Sequence, residues 1–200
     1  MSTRTALGLL DGLRLTVDGI PTALPDSGLR LLALLAVRAR ALPRPYLAAT
    51  LWPLSTEVRA RANLRSAVWR VRRAGPDLVR EQGTALTLSD RLAVDLTPLD
   101  RWAYRSIHGT AGPDELTVPA TVSAALDLFR GWYDDWALAE RERMRCRLLL
   151  ALESMCPLLA GLGWRRWPPE SCSSPEWSTT RRGARCAPPT ATRSSCAAGT

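Results

Sequence analysis

The segment from Glu57 to Arg73 concentrates side chains able to do one kind of chemistry, since Arg59, Arg61, Arg65, Arg70, Arg72 and Arg73 stand there with Ser66 and Trp69 among them. A guanidinium is planar and always charged, and it meets a phosphate or the edge of a guanine with two parallel donors. At about 100° per residue, Ala60, Leu64, Ala67, Val68 and Val71 gather on one side of a helix. Arg65, Ser66, Trp69, Arg72 and Arg73 lie opposite them, and Arg59, Arg61 and Arg70 take the flanks. Such a helix fits a major groove, with phosphates at its rims and base edges at its floor. The competing reading is a solvated basic face. Solvated faces usually interleave Glu with Arg at i, i+4, whereas this helix has only Glu57, at its start. Trp69 equally suits packing against a following domain.

The rest of the chain offers little to an enzyme. Asp134 and Asp135 are adjacent and so point in different directions, which makes a poor acid and base pair. With Trp132, Tyr133 and Trp136 they read instead as a helix start with aromatic packing. His108, the single histidine, has no cysteine or serine partner in view, and Gly109 to Gly112 lacks the lysine and hydroxyl of a phosphate loop. Cys146, Cys156, Cys172, Cys186 and Cys196 are irregularly spaced and form no CxxC pair, so neither a metal site nor a cofactor is expected.

The formal net charge is +8, and every cation is arginine because lysine is absent. That bias, beside abundant Ala, Gly and Pro, suggests a GC-rich genome more than a special chemistry. The apolar run Leu29 to Val37 is too short to span a bilayer and arginines interrupt it. No secretory pattern precedes Asp11, so a cytoplasmic protein with no membrane partner is expected.

The elements that would position the arginine helix follow from periodicity. Leu13, Leu15 and Val17 alternate with polar neighbours as in a half-buried strand, and Asp18-Gly19 is a hairpin turn signal. A helix over about 27–38 follows Pro25, Asp26 and Ser27. Pro45 is placed to open a second helix carrying Tyr46, Leu47, Leu51 and Trp52, which Pro53 ends. Ser55 or Thr56 caps the third helix, which stops at Gly75-Pro76. Leu86 and Leu88, then Leu92, Val94 and Leu96, give two further alternating strands beyond Gln82-Gly83. Strands, three helices and a β-hairpin in that order describe a winged helix-turn-helix with a leading sheet, in which Arg80 and Arg91 would serve the wing. Helices are then expected from Asp100 to Ile107, from Thr121 to Phe129, and from Ala137 to about Met155, with a kink or an end at Pro157.

Ala62-Asn63-Leu64-Arg65-Ser66-Ala67-Val68-Trp69-Arg70-Val71-Arg72-Arg73, preceded by Leu51-Trp52-Pro53, resembles the OmpR-like DNA-binding domain of the Streptomyces antibiotic regulatory protein family. Gly131-Trp132-Tyr133-Asp134-Asp135-Trp136, followed by Ala139-Glu140-Arg141-Glu142-Arg143, is similar to the opening of that family's bacterial transcriptional activation domain. The resemblance covers about residues 7–163. It implies a transcriptional activator, often of antibiotic and other secondary-metabolite gene clusters, that binds direct repeats in double-stranded DNA, forms a homodimer there and contacts the RNA polymerase holoenzyme. The fold expected is therefore an α+β winged helix-turn-helix over 1–97 and an all-α, tetratricopeptide-like activation segment over 98–163, truncated after its first helix pair or so.

Residues 164–200 differ in kind, because they contain no Leu, Ile, Val, Phe, Met or Tyr. They have almost nothing to bury and are expected to be disordered. Back-translation of Ser171 to Trp177 with a two-base shift restores chiefly apolar residues, which suggests a frameshifted tail. Two further functional readings stay open. One is a remnant that binds DNA but no longer activates, and the other is an interaction module whose basic helix docks an acidic protein.

Overall fold

Asp18 and Gly19, at φ 51° and 80°, form the tight turn that their residue types demand. That turn joins strand β2 (Arg14–Val17) to β3 (Ile20–Thr22), and β1 (Thr5–Gly8) lies antiparallel on the other side of β2. The computed structural model describes residues 4–75, 77–112 and 115–161, the last four of these as backbone alone. The tail reading for 164–200 lies outside the described residues.

Helix α1 (Asp26–Arg38) buries Leu31, Leu32, Ala33, Leu34 and Leu35 almost completely. Its burial goes well beyond one stripe, because α1 packs against the strand Ala85–Leu88 and two further helices, α2 (Arg44–Leu51) and α3 (Glu57–Ala74). The short strand β4 (Leu42–Pro43) enters α2, whose first turn holds Pro45, a position where the missing N–H costs nothing. Trp52 caps α2 instead of belonging to it. The Thr56 hydroxyl accepts the N–H of Arg59 at 3.4 Å and starts α3.

The β-hairpin after α3 departs from expectation. Its strands are β5 (Val79–Gln82) and β6 (Ala85–Leu88), joined through Gly83 at φ 59° and Thr84, and β4 adds to the β6 edge. Leu92 to Val94 form β7, which leaves the hairpin and runs parallel to β1, giving a first sheet ordered β3-β2-β1-β7. The physical reason is composition: Val79-Arg80-Glu81-Gln82 is an edge strand with one buried side chain, too polar to show alternation. Leu96 belongs to no strand but opens helix α4 (Leu96–Ile107), where Pro98 is tolerated in the first turn. The Asp95 carboxylate before it accepts the N–H groups of Leu9, at 2.9 Å, and Leu10, at 3.2 Å, closing the end of the sheet.

Helix α5 (Val122–Leu126) is shorter than expected, since the chain turns at Phe129 with φ 58°. Helix α6 (Asp135–Gly161) packs on α4 and α5 and continues through Pro157, so it does not end there. Pro157 is exposed, so the carbonyl it deprives of a partner can turn to water. The buried side of α6 is secured by Met144, Leu148, Ala151 and Met155. No helix among the described residues is long and apolar enough to cross a membrane.

The α6 start is joined to α1 by polar contacts. Glu140 is 2% exposed and pairs with Arg38 at 2.8 Å and Arg143 at 2.6 Å. Arg143 also donates to the Val37 carbonyl at 2.9 Å, and Arg30 reaches Asp134 at 2.6 Å while lying 5.2 Å over Trp132. Phe129 and Trp132 stack at 5.5 Å, and Trp136 meets them edge to face at 5.4 and 5.8 Å. Leu34 is fully enclosed, whereas Leu54 between α2 and α3 is 101% exposed. Leu34→Ala should therefore lower unfolding stability by about 2–5 kcal/mol in urea titration, and Leu54→Ala should change it by less than about 0.5 kcal/mol.

Candidate nucleic-acid interface

Burial along α3 divides the helix as its wheel demands. Ala60, Leu64, Ala67, Val68 and Val71 are buried, and Arg59, Arg61, Arg65, Ser66, Trp69, Arg70, Arg72 and Arg73 are all exposed. Val58, also exposed, shares the outer face with Arg65 and Trp69. Its apolar type gave no reason to expect it there.

The arginines differ in what they touch. Arg61 pairs with Glu57 one turn earlier on the same helix. Arg70 donates to the Ser27 hydroxyl at 3.2 Å, which places it on the α1 flank. Arg73 lies 5.1 Å over the Trp69 ring, so the exposed indole (59% accessible) stacks with a cation of its own helix and not with a neighbouring domain among the described residues. Arg72 pairs with Glu81 of β5 at 2.5 Å, and Arg44 at the start of α2 reaches the same carboxylate oxygen at 2.9 Å. Arg59 and Arg65 make no side-chain hydrogen bond or ion pair with any described residue.

The two cations expected on the wing separate. Arg80 lies on β5 and pairs with Asp90 at 2.7 Å. Arg91 lies outside the hairpin, ahead of β7, with its guanidinium 3.4 Å from Asp77. It shares a shallow hollow with Arg4, Thr5 and Ala93 of the first sheet. The misplacement follows from β7 pairing with β1 and not with β6. Arg44 and Thr84, which the sequence reading did not place at the site, join Pro45, Arg61, Leu64 and Arg65 in lining an open cleft of about 310 Å³ between the α2 start, α3 and the hairpin turn. Arg44 carried a signal, a cation just before a helix-opening proline, but only the β4–β6 pairing brings it to this surface.

Elsewhere the candidates for chemistry are occupied structurally. The His108 ring nitrogen Nδ1 lies 2.7 Å from the Tyr104 carbonyl and the two rings stack at 4.0 Å. No grouping of His, Cys, Asp and Glu that could hold a metal ion occurs among the described residues. Arg141 donates to the carbonyls of Leu128 at 2.6 Å and Phe129 at 2.5 Å, so the motif around it builds a joint.

No family model matches the chain, and no curated protein does. Among solved structures the chain is similar to EmbR of Mycobacterium tuberculosis, captured in complex with a low-affinity phosphopeptide, at 20% identity and a TM-score of 0.44. The match covers 80% of this chain and 43% of that one, so the chain spans less than half the length of that protein.

The Arg72 guanidinium, through its hydrogen bond and its charge, holds the Glu81 carboxyl below its ordinary value, with Arg44 adding to the effect. A lowered folded-state pKa means that the tie favours folding above the ordinary carboxylate range and is lost as pH falls through the folded value. The group is exposed, so the contribution is small. Glu81→Gln should slightly lower the melting temperature at neutral pH. Thermal melts in progressively more acid buffer should show that difference shrinking to nothing.

Proposed function

We propose that this chain is a sequence-specific, DNA-binding transcriptional regulator of the winged helix-turn-helix type. In this reading α3 is the recognition helix, with Arg59, Arg61, Arg65, Ser66, Trp69, Arg70, Arg72 and Arg73 toward the major groove, and the β5–β6 hairpin with Arg80 is the wing. The observation that carries it is the outer face of α3. Its arginines are exposed on a rigid helix whose opposite side is fully packed, and its one acid is Glu57 at the N-terminal end. Arg65 is the best candidate for reading a base edge, since it is exposed at mid-helix and uncommitted to any described partner. Arg72, tied to Glu81, is better suited to a phosphate.

Residues 1–97 would form the DNA-binding part and 98–163 the first portion of an activation domain, following the resemblance to the antibiotic regulatory proteins. That resemblance also supplies the proposed partners: direct repeats in duplex DNA, a second copy of the chain on those repeats, and RNA polymerase holoenzyme. Activation of a secondary-metabolite gene cluster is the regulatory role it implies.

Binding of the full chain to duplex DNA, followed by fluorescence anisotropy across salt, tests the reading. Log K should fall with log salt at a slope of about −4 to −6, or about −0.9 per phosphate neutralised. A slope near zero would remove it. Arg65→Ala should weaken binding to the preferred sequence by about 1–3 kcal/mol and relax selection at one position. Equal weakening on every sequence would reassign Arg65 to the backbone.

A further inference from the structure

Glu57 and Glu81 are the two carboxylates that pair with α3 arginines among the described residues, and they differ in kind. Glu57 neutralises a neighbour one turn along its own helix. Glu81 comes from a different element and joins Arg72 of α3 and Arg44 of α2 through a single oxygen, Oε1. The hairpin does not need this tie to stay in place. β6 is already paired with β4 at Leu42 and Pro43 and with β5 along its length, and Leu86 and Val79 are buried beneath. The three charged side chains are a third to a half exposed, where an ion pair adds little to stability. A carboxylate set into a basic, duplex-facing surface, and weakly worth its place for folding, calls for another role.

That role follows from competition. Nonspecific affinity for a duplex comes from phosphates neutralised and counterions released, whatever the sequence. An arginine already held by a carboxylate must exchange that partner for a phosphate, and the freed carboxylate is left facing a polyanion. Discrimination is gained by such built-in repulsion as much as by attraction. We propose that Glu81 is a specificity-determining residue of the DNA-facing surface, which withholds Arg72 and Arg44 from arbitrary phosphate backbones and holds both in fixed positions for the correct site. The proposal rests on the DNA-binding reading of α3 and deepens it. Arg44 also lines the cleft with Arg61, Arg65 and Thr84, so its release would add a free cation beside two arginines of α3.

The test uses the full chain, a short mixed-sequence duplex as probe, and affinity measured across salt. Glu81→Gln should bind that duplex about tenfold more tightly at low salt, and its log–log slope should steepen by about 0.9 to 1.8, one or two further phosphates. Glu81→Asp, which keeps the charge, should restore the shallower slope, a change that a merely structural role would not produce. Adding Arg72→Gln to Glu81→Gln should remove most of the gain. Unchanged affinity and slope in Glu81→Gln would overturn the proposal while leaving the DNA-binding reading intact. Failure of the unaltered chain to bind any duplex would overturn both.

Discussion

Burial of one apolar stripe governs the arrangement of everything exposed. Ala60, Leu64, Ala67, Val68 and Val71 leave water against α1 and α2, and a side chain of their size contributes about 1.5–3 kcal/mol when enclosed, less for alanine. A helix cannot be rotated to hide an arginine without exposing that stripe. The outward arginines are thus oriented by residues that never touch them. The stripe also uses two alanines, and β5, which follows α3 in the chain, packs against it and brings Glu81 to Arg72.

The same α1 that supports α3 supports the start of α6. Arg30 and Arg38 leave it to meet Asp134 and Glu140. Enclosing a carboxylate as Glu140 is enclosed strips its hydration, and Arg38 with Arg143 replaces it with charge partners and hydrogen bonds. Arg141 donates to the carbonyl of Leu128 and to that of Phe129, which also accepts the Trp132 N–H, where the chain turns at Phe129. The residues from Gly131 to Arg143 therefore act as a joint, with polar ties and an aromatic cluster setting α6 against α1.

Much of this was legible in the sequence because it rests on local rules. The apolar stripe of α3 was complete, the Thr56 cap and the Asp18-Gly19 turn stand where residue type requires them, and Pro45 opens α2. The failures share a cause, which is that tertiary pairing outweighed local pattern. Val79–Gln82 is a strand because β6 lies beside it, although its own residues are mostly polar. Leu92 to Val94 alternate as a wing strand would, yet their partner is β1, remote in the chain. Arg91 was carried off the hairpin with them. Arg44 and Glu81 could not be read as neighbours, because only the β4–β6–β5 order brings them together.

Net charge says less about this surface than pairing does. The formal value of +8 treats every guanidinium alike, but on α3 they fall into three states. Arg61 and Arg72 are held by carboxylates, Arg70 and Arg73 by a hydroxyl and an indole, and Arg59 and Arg65 by no described group. Exposed ion pairs contribute at most about 1 kcal/mol, while a hydrogen bond to a charged group contributes about 1.5–3 kcal/mol. Partners of the first kind can therefore be exchanged for phosphate oxygens without disturbing the packed stripe beneath. On the DNA-binding reading proposed above, the free arginines would engage first and the paired ones only when the incoming groups outcompete a carboxylate. Under that proposal, a rigid helix with cations graded in this way would distinguish one duplex from another through what it must give up as well as through what it gains.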